Sequence, residues 1–146
     1  MVFRSQIKCL SFALTLIATL LIQSNMLAGT LINKGRECNI HQGPCSITAG
    51  SHTVTLNIDP KPVSAMKELT FSITVTPCDK LPDTLLLDLS MPGMAMGKNQ
   101  VTLLKKSACL YEGKGVIVRC MSGRTLWQAT ILSDELNNPA FTFNVR

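Results

Sequence analysis

The stretch Leu69-Thr70-Phe71-Ser72-Ile73-Thr74-Val75-Thr76 decides the fold class. Its apolar side chains alternate one by one with hydroxyl-bearing ones, the two-residue period of a strand with one face buried and the other wet. The β-branched polar residues suit an exposed pleat. Upstream, Val54, Leu56 and Ile58 alternate with Thr53, Thr55 and Asn57 until Asp59-Pro60-Lys61-Pro62, where proline has no N–H to give a ladder. Downstream, after Pro77-Cys78-Asp79-Lys80-Leu81-Pro82, a third strand runs over about 84–90 with Leu85, Leu87 and Leu89 inward. The pattern predicts further strands over 101–106, 116–121 and 125–132, the last with Trp127, Ala129 and Ile131 on one face, and a seventh through Phe141, Phe143 and Val145.

Seven short strands with no convincing amphipathic helix predict an all-β, antiparallel, immunoglobulin-like β-sandwich over residues 52–146. Its expected core is Val54, Leu56, Phe71, Ile73, Leu87, Trp127, Ile131 and Phe143. Residues 29–51 have no sustained period and are rich in Gly, Asn and Cys, so they read as an irregular, disulfide-stapled lead-in.

Residues 1–28 have the composition of an export signal. Arg4 and Lys8 give a positive start, fourteen mostly apolar residues follow from Cys9 to Ile22, and polar Gln23-Ser24-Asn25 leads to a small residue at Ala28. The apolar run falls short of the roughly 20 residues a spanning helix needs, so any membrane attachment would come only from an uncleaved leader. The expected product is periplasmic or secreted. Without Arg4 and Lys8, twelve of the fourteen basic residues face nine acidic ones, a net of +3. Those basic residues are scattered and not interleaved with aromatics, so nucleic acid is not an expected partner.

Export lets thiols pair. Five cysteines follow the leader: Cys38, Cys45, Cys78, Cys109 and Cys120. Cys38 and Cys45 flank a short turn-rich segment and make one candidate staple. The glycines around Lys114 suggest a hairpin centred between Lys114 and Gly115, which would set Cys109 opposite Cys120 and leave Cys78 free. Catalysis is not expected. The only histidines, His41 and His52, lie in no recognisable motif, and Asp134-Glu135 reads as a solvated turn.

The segment that stands apart chemically is Met91-Pro92-Gly93-Met94-Ala95-Met96-Gly97. Proline and two glycines forbid a regular helix or central strand, so it reads as a loop. Its methionines either fold inward to cap the open end of the sandwich or serve as soft ligands, and thioethers suit Cu(I) among biological metals. Met91, Met94 and Met96 are the candidate copper ligands, with His52 or His41 as a further ligand if the lead-in folds onto that end. Met121, placed opposite Ala108 by the Cys109–Cys120 register, is expected to lie far from this loop, and Met66 is expected to be packing.

The Met91-Pro92-Gly93-Met94-Ala95-Met96-Gly97 loop, with Asn99, Val101, Tyr111, Gly113, Gly115 and the Gly123 to Trp127 segment, resembles the YtkA-like and FixH-like group of exported or membrane-tethered domains over about residues 54–132. The resemblance implies an immunoglobulin-like fold outside the cytoplasm and, for the FixH-like members, copper delivery or assembly of a respiratory oxidase. Only Met91, Met94 and Met96 match positions connected with metal. The Cys38/Cys45 lead-in and the cleavable leader depart from the anchored FixH-like pattern. Two functions are therefore expected as alternatives: copper binding or transfer, or an interaction module that presents the methionine loop to a protein partner in the cell envelope.

Overall fold

The computed structural model describes residues 38–146, and there the alternating sequence forms eight antiparallel strands. They are β1 (Cys45–Ala49), β2 (His52–Asp59), β3 (Glu68–Thr76), β4 (Thr84–Ser90), β5 (Gln100–Lys105), β6 (Leu110–Val116), β7 (Leu126–Leu132) and β8 (Ala140–Asn144). The sheet order is β1-β2-β3-β6-β5-β4-β7-β8. In β3, Leu69, Phe71, Ile73 and Val75 are fully buried, as the alternation requires, and each of the eight expected core residues is buried. The all-β, sandwich-like architecture therefore holds, with one strand more than expected.

The sheet turns over itself where β5 meets β6. These strands pair at only two positions, Leu104 with Glu112 and Lys105 with Tyr111. Beyond them, β5 crosses close over β6: a Cβ on Gly113 would run into the Thr102 carbonyl oxygen, and one on Gly115 into the Val101 side chain. Glycine inside a strand commonly marks such an approach of a neighbouring chain. At the other margin, Cys38 donates its N–H to the Thr142 carbonyl of β8 (2.9 Å) and is disulfide-bonded to Cys45 of β1, so one residue connects the first and last strands.

Several expectations are corrected. The glycines at 113 and 115 belong to β6 and form no turn; that strand covers Leu110–Val116, not 116–121, and its hairpin with β5 turns at residues 106–110. The Cys109–Cys120 pair consequently does not form. Extending the Thr74–Leu110 pairing of β3 with β6 by one step brings Cys109 beside Val75, whose N–H donates to the Cys109 carbonyl (3.0 Å). Cys78, just past the end of β3, is then bonded to Cys109, and among the described residues Cys120 is the free cysteine. The Cys38–Cys45 staple is present. The lead-in is less irregular than expected, because β1 pairs with β2 from Cys45–Leu56 to Ala49–His52. The leader lies outside the described residues. Among the described residues, no helix is long and apolar enough to cross a membrane, and the two disulfides fit an oxidising, exported environment.

Candidate functional site

The methionine loop starts as a continuation of β4. Leu85, Leu87 and Leu89 point into the core, and Met91 follows the same alternation inward, only 2% exposed. The chain then reverses. Met94 donates its N–H to the Met91 carbonyl (3.1 Å), with Pro92 in the second position and Gly93 at φ 74° in the third. That is the residue pattern of a type II turn, whose third position needs positive φ. Met94 and Met96 emerge half-buried, packed against the edge of the core.

Facing this loop is the chain after β6. Residues 118–122 form the other wall of a cleft of about 330 Å³ whose lining also includes Met91, Met94 and Met96. Within this wall Cys120 opens a turn closed by Gly123 N–H to the Cys120 carbonyl (3.1 Å). Its thiol stands 3.9 Å from the Met94 thioether sulfur and 2.9 Å from the Ser122 hydroxyl. Arg124 ties the two walls together by donating from Nη2 to the Pro92 carbonyl (3.0 Å). The Ser122 hydroxyl and backbone hold the Cys120 thiol below the usual thiol range, and Arg124 adds to the effect.

The structure thus brings Met91, Met94 and Met96 to one cleft and adds two residues that sequence reasoning placed elsewhere. Met121 lines the same cleft, fully exposed at its mouth. Its expected position opposite Ala108 depended on a disulfide that does not exist. Reading Gly113 and Gly115 as a strand interior crossed by its neighbour, instead of as a turn, is the signal that would have carried the chain onward and placed both Cys120 and Met121 at this end.

The histidines are not part of the cleft lining. His52 begins β2, where Thr53 pairs with Thr76 and the pairing leads on to the Cys78–Cys109 end. It is separated from the methionine loop by about one strand length, roughly 20 Å. Its ring Nδ1 lies 3.5 Å from the Ser51 hydroxyl. His41 does reach the methionine end, but its Nδ1 accepts the Val63 N–H (3.1 Å) and it lines a separate cavity with Cys38, Thr125 and Arg146.

Among the described residues, no three His, Cys, Asp or Glu side chains gather as a metal-holding group. The cleft offers a different donor set, one thiol and several thioethers, which is soft and matches a polarisable monovalent cation better than a hard divalent one. No protein-family model, curated protein or solved structure matches this chain.

Proposed function

We propose that this protein is a small exported carrier of Cu(I), a binding or transfer protein and not a catalyst, working in the periplasm or an equivalent envelope compartment. Met91, Met94 and Met96 are its thioether ligands, and the likeness of their loop to FixH-like domains suggests delivery to a respiratory oxidase under assembly. The observation that supports the reading is that these three side chains line one apolar cleft at the rim of the sheet. Thioethers suit such a carrier because they bind Cu(I) without losing a proton, and a site that opens to solvent lets an acceptor take over one sulfur at a time.

The test is Cu(I) titration of the exported chain beside Met91→Leu/Met94→Leu/Met96→Leu, which keeps apolar volume and removes the sulfurs. Ascorbate should keep copper reduced, since a thiol reductant would attack the disulfides. Uptake by the wild type that is lost in the triple variant supports the reading, and equally weak uptake by both removes it. A second reading is favoured by the fully exposed Met121 and the exposed Val118 at the cleft mouth. On that reading, the cleft is a contact surface for an envelope protein, and the triple variant loses partner binding with no change in copper uptake.

A further inference from the structure

We propose that Cys120 is a ligand of the same centre, so that the cleft is a mixed thiolate–thioether site for Cu(I) in which Cys120 and Met94 are the first pair to engage the ion. This rests on the copper reading above and goes beyond it, because the thiol is a stronger donor than any of the three methionines and comes from a different segment of the chain.

Three observations carry the inference. The first is geometric. Two sulfurs each about 2.3 Å from a shared cation, spread by a tetrahedral or trigonal angle, stand about 3.8–4.0 Å apart. Cys120 Sγ and Met94 Sδ are 3.9 Å apart before any ion is considered. The second is the chemistry of the surroundings. The remaining lining includes Met91, Met96 and Met121, so a cation held by the Cys120–Met94 pair would have further soft donors on both walls. The third is that the two walls are braced. Arg124, four residues beyond Cys120, holds the Pro92 carbonyl inside the methionine turn, which fixes the thiol against the thioether.

The other four described cysteines are bonded in pairs, and Cys120 alone keeps its sulfur available. In an oxidising compartment an accessible thiol is open to oxidation and mispairing. Copper coordination gives that sulfur a bond to make. On loading, the thiol proton passes to solvent and the sulfur lone pair goes to Cu(I), with no change of oxidation state at either atom. Met121, fully exposed beside Cys120, is placed to meet an arriving acceptor before the deeper sulfurs are disturbed.

The experiment uses the exported chain with both disulfides intact, wild type beside Cys120→Ser, Cys120→Ala and the triple methionine-to-leucine variant. Cu(I) is supplied with ascorbate in competition with a colorimetric Cu(I) chelator. Three readouts are taken: affinity, the ultraviolet thiolate-to-copper charge-transfer absorption, and protection of Cys120 from iodoacetamide. Loss of a group that only hydrogen-bonds to a ligand and orients it commonly lowers metal affinity by about 10–100-fold, so removal of a direct thiolate ligand should lower it by at least about 100-fold. Both Cys120 variants should also lack the charge-transfer band, and the triple variant should bind more weakly while retaining it. Cys120→Ser matching the wild type, with the triple variant defective, overturns the inference and leaves the methionine reading standing; the thiol–thioether contact is then packing only. A triple variant with wild-type affinity and a Cys120→Ser variant with none would mean that the thiol acts alone, which overturns both. Near-ultraviolet circular dichroism of each variant checks that the fold is retained.

Discussion

Two sulfur sites at opposite ends of this sheet behave in opposite ways. At one end, Cys78 and Cys109 are joined across the margin between β3 and β6, and nearby the Tyr111 hydroxyl donates to the Pro82 carbonyl (2.7 Å). At the other, Cys120 has no disulfide partner, and its neighbours are thioethers lining an open cleft. The comparison separates sulfur that constrains the chain from sulfur left free to bond something else. The first kind contributes to stability, and the second is exposed to chemistry.

The largest expected effect comes from breaking the constrained end. Replacing both Cys78 and Cys109 by Ala opens a loop with a sequence separation of 31, and chain entropy for a loop of that size predicts a loss of about 3–4 kcal/mol. Denaturant unfolding should register the loss, while copper affinity under folding conditions should stay unchanged because no cleft residue is touched. A stability change below about 1 kcal/mol would show that this bridge constrains little in the unfolded chain.

Next in size is Gly113→Ala. The added methyl meets the Thr102 backbone carbonyl, which no rotamer change relieves, and overpacking of this kind costs roughly 1–3 kcal/mol. The β5–β6 crossing sets the place where the chain leaves β6 for the cleft wall, so copper affinity should fall together with the unfolding midpoint. A variant that lost stability and kept full affinity would uncouple the crossing from the site.

Smaller still is Arg124→Ala, which removes the tie to Pro92. A single hydrogen bond to a charged group is worth about 1.5–3 kcal/mol in a favourable setting and less on a solvent-exposed surface. Stability should therefore fall by under about 1 kcal/mol. Iodoacetamide should react more slowly with Cys120, since the neighbouring cation favours the thiolate. An unchanged alkylation rate would show that Arg124 has no bearing on that thiol. The smallest effect is Met121→Leu: at a fully exposed position the unfolding midpoint should correspond to a change within about 0.5 kcal/mol. Transfer of copper to a competing chelator should slow if that thioether meets acceptors first, and an unchanged rate would remove Met121 from the exchange route.

Most strands were legible because their alternation is local. β3, β4, β5, β7 and β8 fall within about a residue of the positions read from hydropathy, since each carries its buried face in its own side chains. β1 is not legible in the sequence because Ser46 and Thr48 are exposed while Cys45 and Ile47 are only half-buried, so the strand has little apolar signal of its own. β6 was shifted because Gly113 and Gly115 are turn residues by composition. Their purpose lies in another strand, β5, which passes too close for any side chain. The Cys109 pairing, the free cysteine and the place of Met121 all depend on that one strand contact.

What the residues determined unaided was an antiparallel β architecture, a Cys38–Cys45 staple and a loop whose thioethers stand out among polar neighbours, because periodicity, short chain separation and composition are properties of contiguous sequence. Tertiary structure alone decided which cysteine remains free and what faces the methionines. Disulfide choice follows the register between strands far apart in the chain, and the cleft follows the crossing of β5 over two glycines. Both are contacts between segments that local pattern does not couple.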